Sequence, residues 1–211
     1  MAKRKTKKVN PRRIPLPKRE ISQEAILEEA TKDDLYQAWL LVFHALMELE
    51  LIPFHEIPDM TERVNLYIRN SDKDKNRREE SKRAERMMGI PFPKMHIGID
   101  SIRSAVELEA FKRKVKKIAI YTALSVLYLG LESTGRFHEK DLQRVFFHAD
   151  LTVAEIDHGI VSYKELDDYL ANCGIQIERE SDDLNHAHFT GAEPCQLCKS
   201  VPFQSGDRQE L

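Results

Sequence analysis

Thirty-three Lys/Arg stand against 35 Asp/Glu in 211 residues, 41% of them hydrophobic, a composition that buries one good core or two small ones without help. The start of the chain lacks the apolar stretch of a secretory signal. The longest apolar run, Ile118–Leu131, is shorter than the roughly 20 residues that cross a bilayer, so a soluble intracellular protein with no membrane partner is expected.

The charge is unevenly spread. Residues 1–20 hold nine basic residues and one acid, a charge of +8, which leaves 24 basic and 34 acidic residues, −10, for the rest. Lys3, Arg4, Lys5, Lys7, Lys8, Arg12 and Arg13 stand there among prolines with too few apolar groups to pack, the composition of a disordered tail. Such a tail either holds nucleic-acid phosphates in a salt-dependent way or solubilises the chain.

Ile21 to Leu51 reads as one helix, with Ser22 as N-cap and acids in the first turns. Its second half, Leu35 to Met47, is apolar around most of its circumference and is expected at the centre of the fold. Trp39 and Phe43, four apart, share a face as core packing, and His44 among them reads as a hydrogen-bonded structural histidine.

Pro53 and Pro58 break the chain before a helix resumes at Thr61. Phe54-His-Glu56 recurs 83 residues later as Phe137-His-Glu139. Each copy follows an apolar helix and precedes an amphipathic one, which points to an internal duplication of a helical hairpin, with Glu favoured at a helix start.

From Asp72 to Arg86, twelve of fifteen residues are charged, with mixed signs at helical spacing. A solvated helix or loop is the plain reading, and Arg77, Arg78, Lys82, Arg83 and Arg86 are the candidates for partner contact. Pro91 and Pro93 keep Gly89–Gly98 out of a helix. Asp100 or Ser101 then caps a helix that carries a basic stripe, Lys112–Lys117, in which Lys112, Arg113 and Lys114 are candidate phosphate or partner contacts.

The stripe runs directly into Ile118–Leu131. Phe137, Leu142, Val145 and Phe146 then recur at helical spacing. Gly159 stops that helix, and Ser162-Tyr-Lys-Glu165 is a capping box that starts a shorter one ending near Gly174.

The one constellation with metal chemistry is Asn185 to Cys198. His186 and His188 are two apart, so in an extended chain they point the same way. Cys195 and Cys198 form a Cys-x-x-Cys turn, and the four together can close a tetrahedral, structural Zn2+ site. The competing reading is a disordered tail with incidental cysteines. Pro194-Cys-x-x-Cys198 is also half of the zinc-deaminase signature, but His186-Ala-His188 lacks the glutamate that this chemistry needs. With eight glycines and no P-loop, G-x-S-x-G, HExxH or dinucleotide turn, no catalytic residue is assigned and no enzyme is expected.

The expected fold is therefore all-α, a bundle of about five helices. It divides into a basic disordered tail (1–20), a first helical hairpin with the charged helix and Pro-rich connector (21–98), a second helical unit (99–178), and a C-terminal tail with a zinc-knuckle-like segment (179–211).

The basic start Met1 to Pro15, with Asn10-Pro-Arg-Arg13, and the turn Gly159-Ile-Val-Ser-Tyr-Lys-Glu-Leu166 resemble a family of small uncharacterised proteins from phages and prophages of Firmicutes. The resemblance covers about half the chain and carries no catalytic motif. It implies a mobile-element protein in the cytoplasm of a bacterial host. By analogy with anti-CRISPR proteins, it implies a non-enzymatic inhibitor that binds a host protein or nucleoprotein, most sharply a defence nuclease. The alternative is a zinc-stabilised DNA- or RNA-binding regulator in which the tail and Lys112–Lys117 hold phosphate.

Overall fold

A computed structural model describes residues 23–71, 77–94, 102 and 104–177. Among them are seven α-helices: α1 (Gln23–Thr31), α2 (Asp34–Glu48), α3 (Ile57–Ser71), α4 (Arg77–Met88), α5 (Ala105–Ser133), α6 (Glu139–Asp157) and α7 (Tyr163–Asn172). A single 3-10 turn, Phe54–Glu56, leads into α3, and the described residues contain no strand, so the all-helical expectation holds.

Two helices carry the packing. At 29 residues, α5 is about 43 Å long, and it touches each of α1, α2, α3, α4 and α6. On α2, Tyr36 and every residue from Ala38 to Phe43 are buried, followed by Ala45 and Leu46, because α5, α6 and α7 close around it. Its all-round apolar sequence requires that enclosure. Trp39 and Phe43 stack on one face with centroids 4.9 Å apart.

Gly130 shows how closely α5 is packed. A Cβ at that position would come within 2.7 Å of Val64 Cγ1 on α3, so the absent side chain is what lets α3 approach. Residues of both the 21–98 and the 99–178 units enter one buried cluster that runs from Tyr36 to Ile177. The Phe-His-Glu copies both lie at helix starts, and Arg136, one residue before the second, forms ion pairs with Glu56 of the first and with Asp59.

Two boundaries differ from expectation. The helix expected over 21–51 is broken at Lys32-Asp33 into α1 and α2. The Thr31 hydroxyl donates back to the Leu27 carbonyl at 2.9 Å, and Asp34 Oδ1 accepts from the Leu35 amide at 2.7 Å. Such local bonding by short polar side chains competes with the helix ladder. The second difference is the start of α5, whose cap is Ser104. Its hydroxyl accepts from the Glu107 amide at 3.3 Å in an extended backbone conformation, the Ser-x-x-Glu pattern that favours a start. Asp100 and Ser101 lie outside the described residues.

The turn between α6 and α7 forms as expected. Gly159 adopts φ +70°, its amide reaches the Ile156 carbonyl at 3.0 Å and the Ile160 amide reaches Glu155 at 2.9 Å, the paired bonds of a Schellman end that favour glycine. Ser162 and Glu165 then form the full capping box.

Candidate functional site

Of the cations expected to meet a partner, Arg83 and Lys112 are directed at carboxylates of the protein itself. On α4, Arg83 donates to both carboxylate oxygens of Glu132 at 2.6 and 2.7 Å, tying α4 to the far end of α5. Lys82 and Arg86 are exposed, and Arg86 Nε donates to the Lys82 carbonyl at 3.2 Å. Arg77 and Arg78 belong to the first turn of α4, and their side chains lie outside the described residues.

On α5, Lys112 donates to Glu29 of α1 at 3.0 Å, a bond that raises the pKa of its ammonium. Lys117 donates to Asp157, the last residue of α6, at 2.7 Å. Lys116 lies 6.0 Å from the centre of the Tyr163 ring on α7, within cation–π reach. Arg113 is exposed and Lys114 half-buried, and neither is in an ion pair with a described residue.

Arg83 and the basic stripe of α5 lie apart. Arg83 is anchored at Glu132, nineteen residues along α5 from Arg113, about 28 Å at 1.5 Å per residue. The cations of the tail, Lys3, Arg4, Lys5, Lys7, Lys8, Arg12 and Arg13, lie outside the described residues, as do His186, His188, Cys195 and Cys198 with the zinc site expected of them. Among the described residues, no group of three or more His, Cys, Asp or Glu is placed to hold a metal ion. No helix among them is long and apolar enough to cross a membrane.

One cluster was not foreseen. His44 of α2 and His148 of α6 face each other with ring centroids 5.4 Å apart, and the edge of Tyr169 on α7 meets His44 at the same distance. The hydrogen bond expected at His44 is missing from Nδ1, which is buried without a partner among the described residues, as is Nδ1 of His148. Residue 44 faces the seam of α6 and α7, where the rings of His148 and Tyr169 meet it. Burial pushes the His44 pKa down, opposed by the negative charges of Glu48 and Glu155 and assisted by His148. Tyr169 donates to Glu48 at 3.0 Å, which with burial raises its own pKa. His44-x-x-x-Glu48 is visible in the sequence, but its partners arrive from 104 and 125 residues away.

A second proton-holding pair links α5 to α6. The Tyr121 hydroxyl donates to Asp150, and its pKa is raised, chiefly by burial and then by that carboxylate. Tyr169–Glu48 and Tyr121–Asp150 each join two helices through a polar contact.

No protein-family model, curated protein or solved structure matches this chain.

Proposed function

We propose that the chain is a non-catalytic, mobile-element protein that acts by occupying a macromolecular partner in a bacterial host cytoplasm, a defence nuclease or other nucleoprotein being the sharpest form. One observation carries this reading: four cations of the body are taken up by the chain's own carboxylates, while other carboxylates stand exposed and unmatched by them. Arg83, Lys112, Lys117 and Arg136 are held by Glu132, Glu29, Asp157 and the Glu56–Asp59 pair. Glu62, Glu109, Glu155 and Asp168 are exposed, on a chain whose charge beyond residue 20 is −10. An acidic helical body competes for the basic channel in which a nucleoprotein holds its nucleic acid. The resemblance to phage and prophage proteins supports the same context.

The test is competition. Purified full-length protein is added to a defence nuclease of the bacterial host, and displacement of labelled nucleic acid is followed as salt is raised. Displacement that weakens with salt, and that falls at least about tenfold when Glu62, Glu109 and Asp168 become lysine, is expected. Equal displacement by the lysine variant contradicts the reading.

A second reading rests on Arg113 and Lys114, which stand near Lys116 on α5 and form no ion pair among the described residues. It makes the protein a nucleic-acid-binding regulator with a C-terminal zinc site, and it requires that the chain itself bind DNA or RNA with an affinity falling steeply with salt.

A further inference from the structure

Six exposed side chains of α6 and its C-cap form one stripe. Lys140, Arg144, Phe147, Leu151, Glu155 and His158 are all exposed and follow one another at spacings of 4, 3, 4, 4 and 3, the repeat that keeps residues on one side of a helix. The opposite side, Leu142, Val145, Phe146, Ala149 and Val153, is buried in the core. Phe147 is 57% and Leu151 49% exposed, whereas Phe146 beside them is fully buried. Two large apolar side chains thus stand in water at the middle of an otherwise polar face.

The order of residues along the stripe is symmetric. Phe147 and Leu151 lie two positions either side of residue 149, Arg144 five before and Glu155 six after, Lys140 and His158 nine either side. The amino-terminal half is basic, the centre apolar and the other half carries the acid.

We propose that the chain pairs with a second copy of itself through this face, the two α6 helices running antiparallel about a two-fold axis at the level of residue 149. In that register Phe147 of one copy packs on Leu151 of the other, and Arg144 meets Glu155 twice, once on each side of the axis. An isologous contact needs a surface complementary to itself under such a rotation. In a parallel pair Arg144 faces Arg144 and Glu155 faces Glu155, which like-charge repulsion disfavours. Arg144 is available for the exchange: its only ion pair among the described residues is with Asp141, at 4.0 Å on the surface, a contact of little strength.

This pairing does not depend on the proposed function. A single helix-to-helix contact lies at the small end of interface sizes, so a dissociation constant on the order of micromolar is expected.

The experiment is sedimentation equilibrium on the full-length chain from about 1 to about 300 µM, a range that brackets such a constant. The wild-type chain is expected to pass from monomer to dimer. Arg144→Glu alone and Glu155→Arg alone each place two like-charge meetings in the dimer and weaken association at least about tenfold. Mixed in equal amounts, these two variants are expected to form a heterodimer close to wild-type strength, because every Glu then faces an Arg. Leu151→Asp, which removes the apolar centre, is expected to abolish the dimer while circular dichroism shows an unchanged helical fold. A wild-type chain that stays monomeric across the range, single reversals that leave association unchanged, or a mixture no stronger than either variant alone would overturn the proposal.

Discussion

The two halves of α5 do different work. From Ile118 to Leu131 nearly every residue is buried, with Leu124, Leu127, Tyr128 and Leu131 fully enclosed by the main core. From Ala105 to Lys117 only Val115 is buried, and it belongs to a small separate cluster with Ile26, Leu108 and Phe111 under α1. One continuous helix therefore serves as the axle of the bundle at one end and as a lightly covered, basic projection at the other. Helical propensity is shared by both halves, so burial decides their stability.

The largest effect should come from emptying the axle. Leu124→Ala is expected to cost about 2–5 kcal/mol, the range for a fully buried leucine. Val115→Ala, which removes two carbons from the satellite cluster, should cost at most about 1.6 kcal/mol. Urea unfolding of both variants measures the contrast, and equal losses would erase it.

Next in size is Gly130→Ala. On an open helix this exchange gains about 1 kcal/mol in propensity. Here the added carbon would meet Val64 Cγ1 at 2.7 Å, so a net loss of about 1–3 kcal/mol is expected. Val64→Ala in the same chain should recover part of it, which a double-mutant cycle reads out.

The smallest effect is a pH dependence at the His44 seam. Burial holds the His44 pKa below its ordinary 6.5, so the unfolded chain binds this proton more readily than the folded one. The stability contributed by neutral His44 is complete above the unfolded value and is lost as pH falls from there through the folded one. His44→Phe, which keeps a ring against His148 and Tyr169, should therefore flatten the difference in unfolding free energy between pH 7 and pH 5 relative to wild type.

What could be read in the sequence and what could not follows from the range of the interaction. The Gly159 stop and the Ser162–Glu165 box were legible because every group involved lies within seven residues. The core role of Leu35–Met47 and Ile118–Leu131 followed from apolarity on all sides of a helix. The break at Lys32-Asp33 was hidden because the acids before it also suit a continuing helix.

Of the candidate contacts, Arg83 and Lys112 carried no mark in the sequence that they would be consumed by Glu132 and Glu29, 49 and 83 residues away. The same distance hid the His44–His148 meeting. Of the adjacent pair Phe146 and Phe147, periodicity placed the first in the core, and only the fold shows that the second is left in water.

Hydrogen exchange along α5 in the full-length chain, read peptide by peptide under native conditions, tests the division of this helix most directly. Amides of residues 118–133 are expected to open only with global unfolding, at the free energy measured by denaturant. Those of 105–117 should open by a smaller, local step and exchange at least about tenfold faster. Uniform protection from Ala105 to Ser133 would contradict the account, because it would mean that the basic projection is held as firmly as the axle.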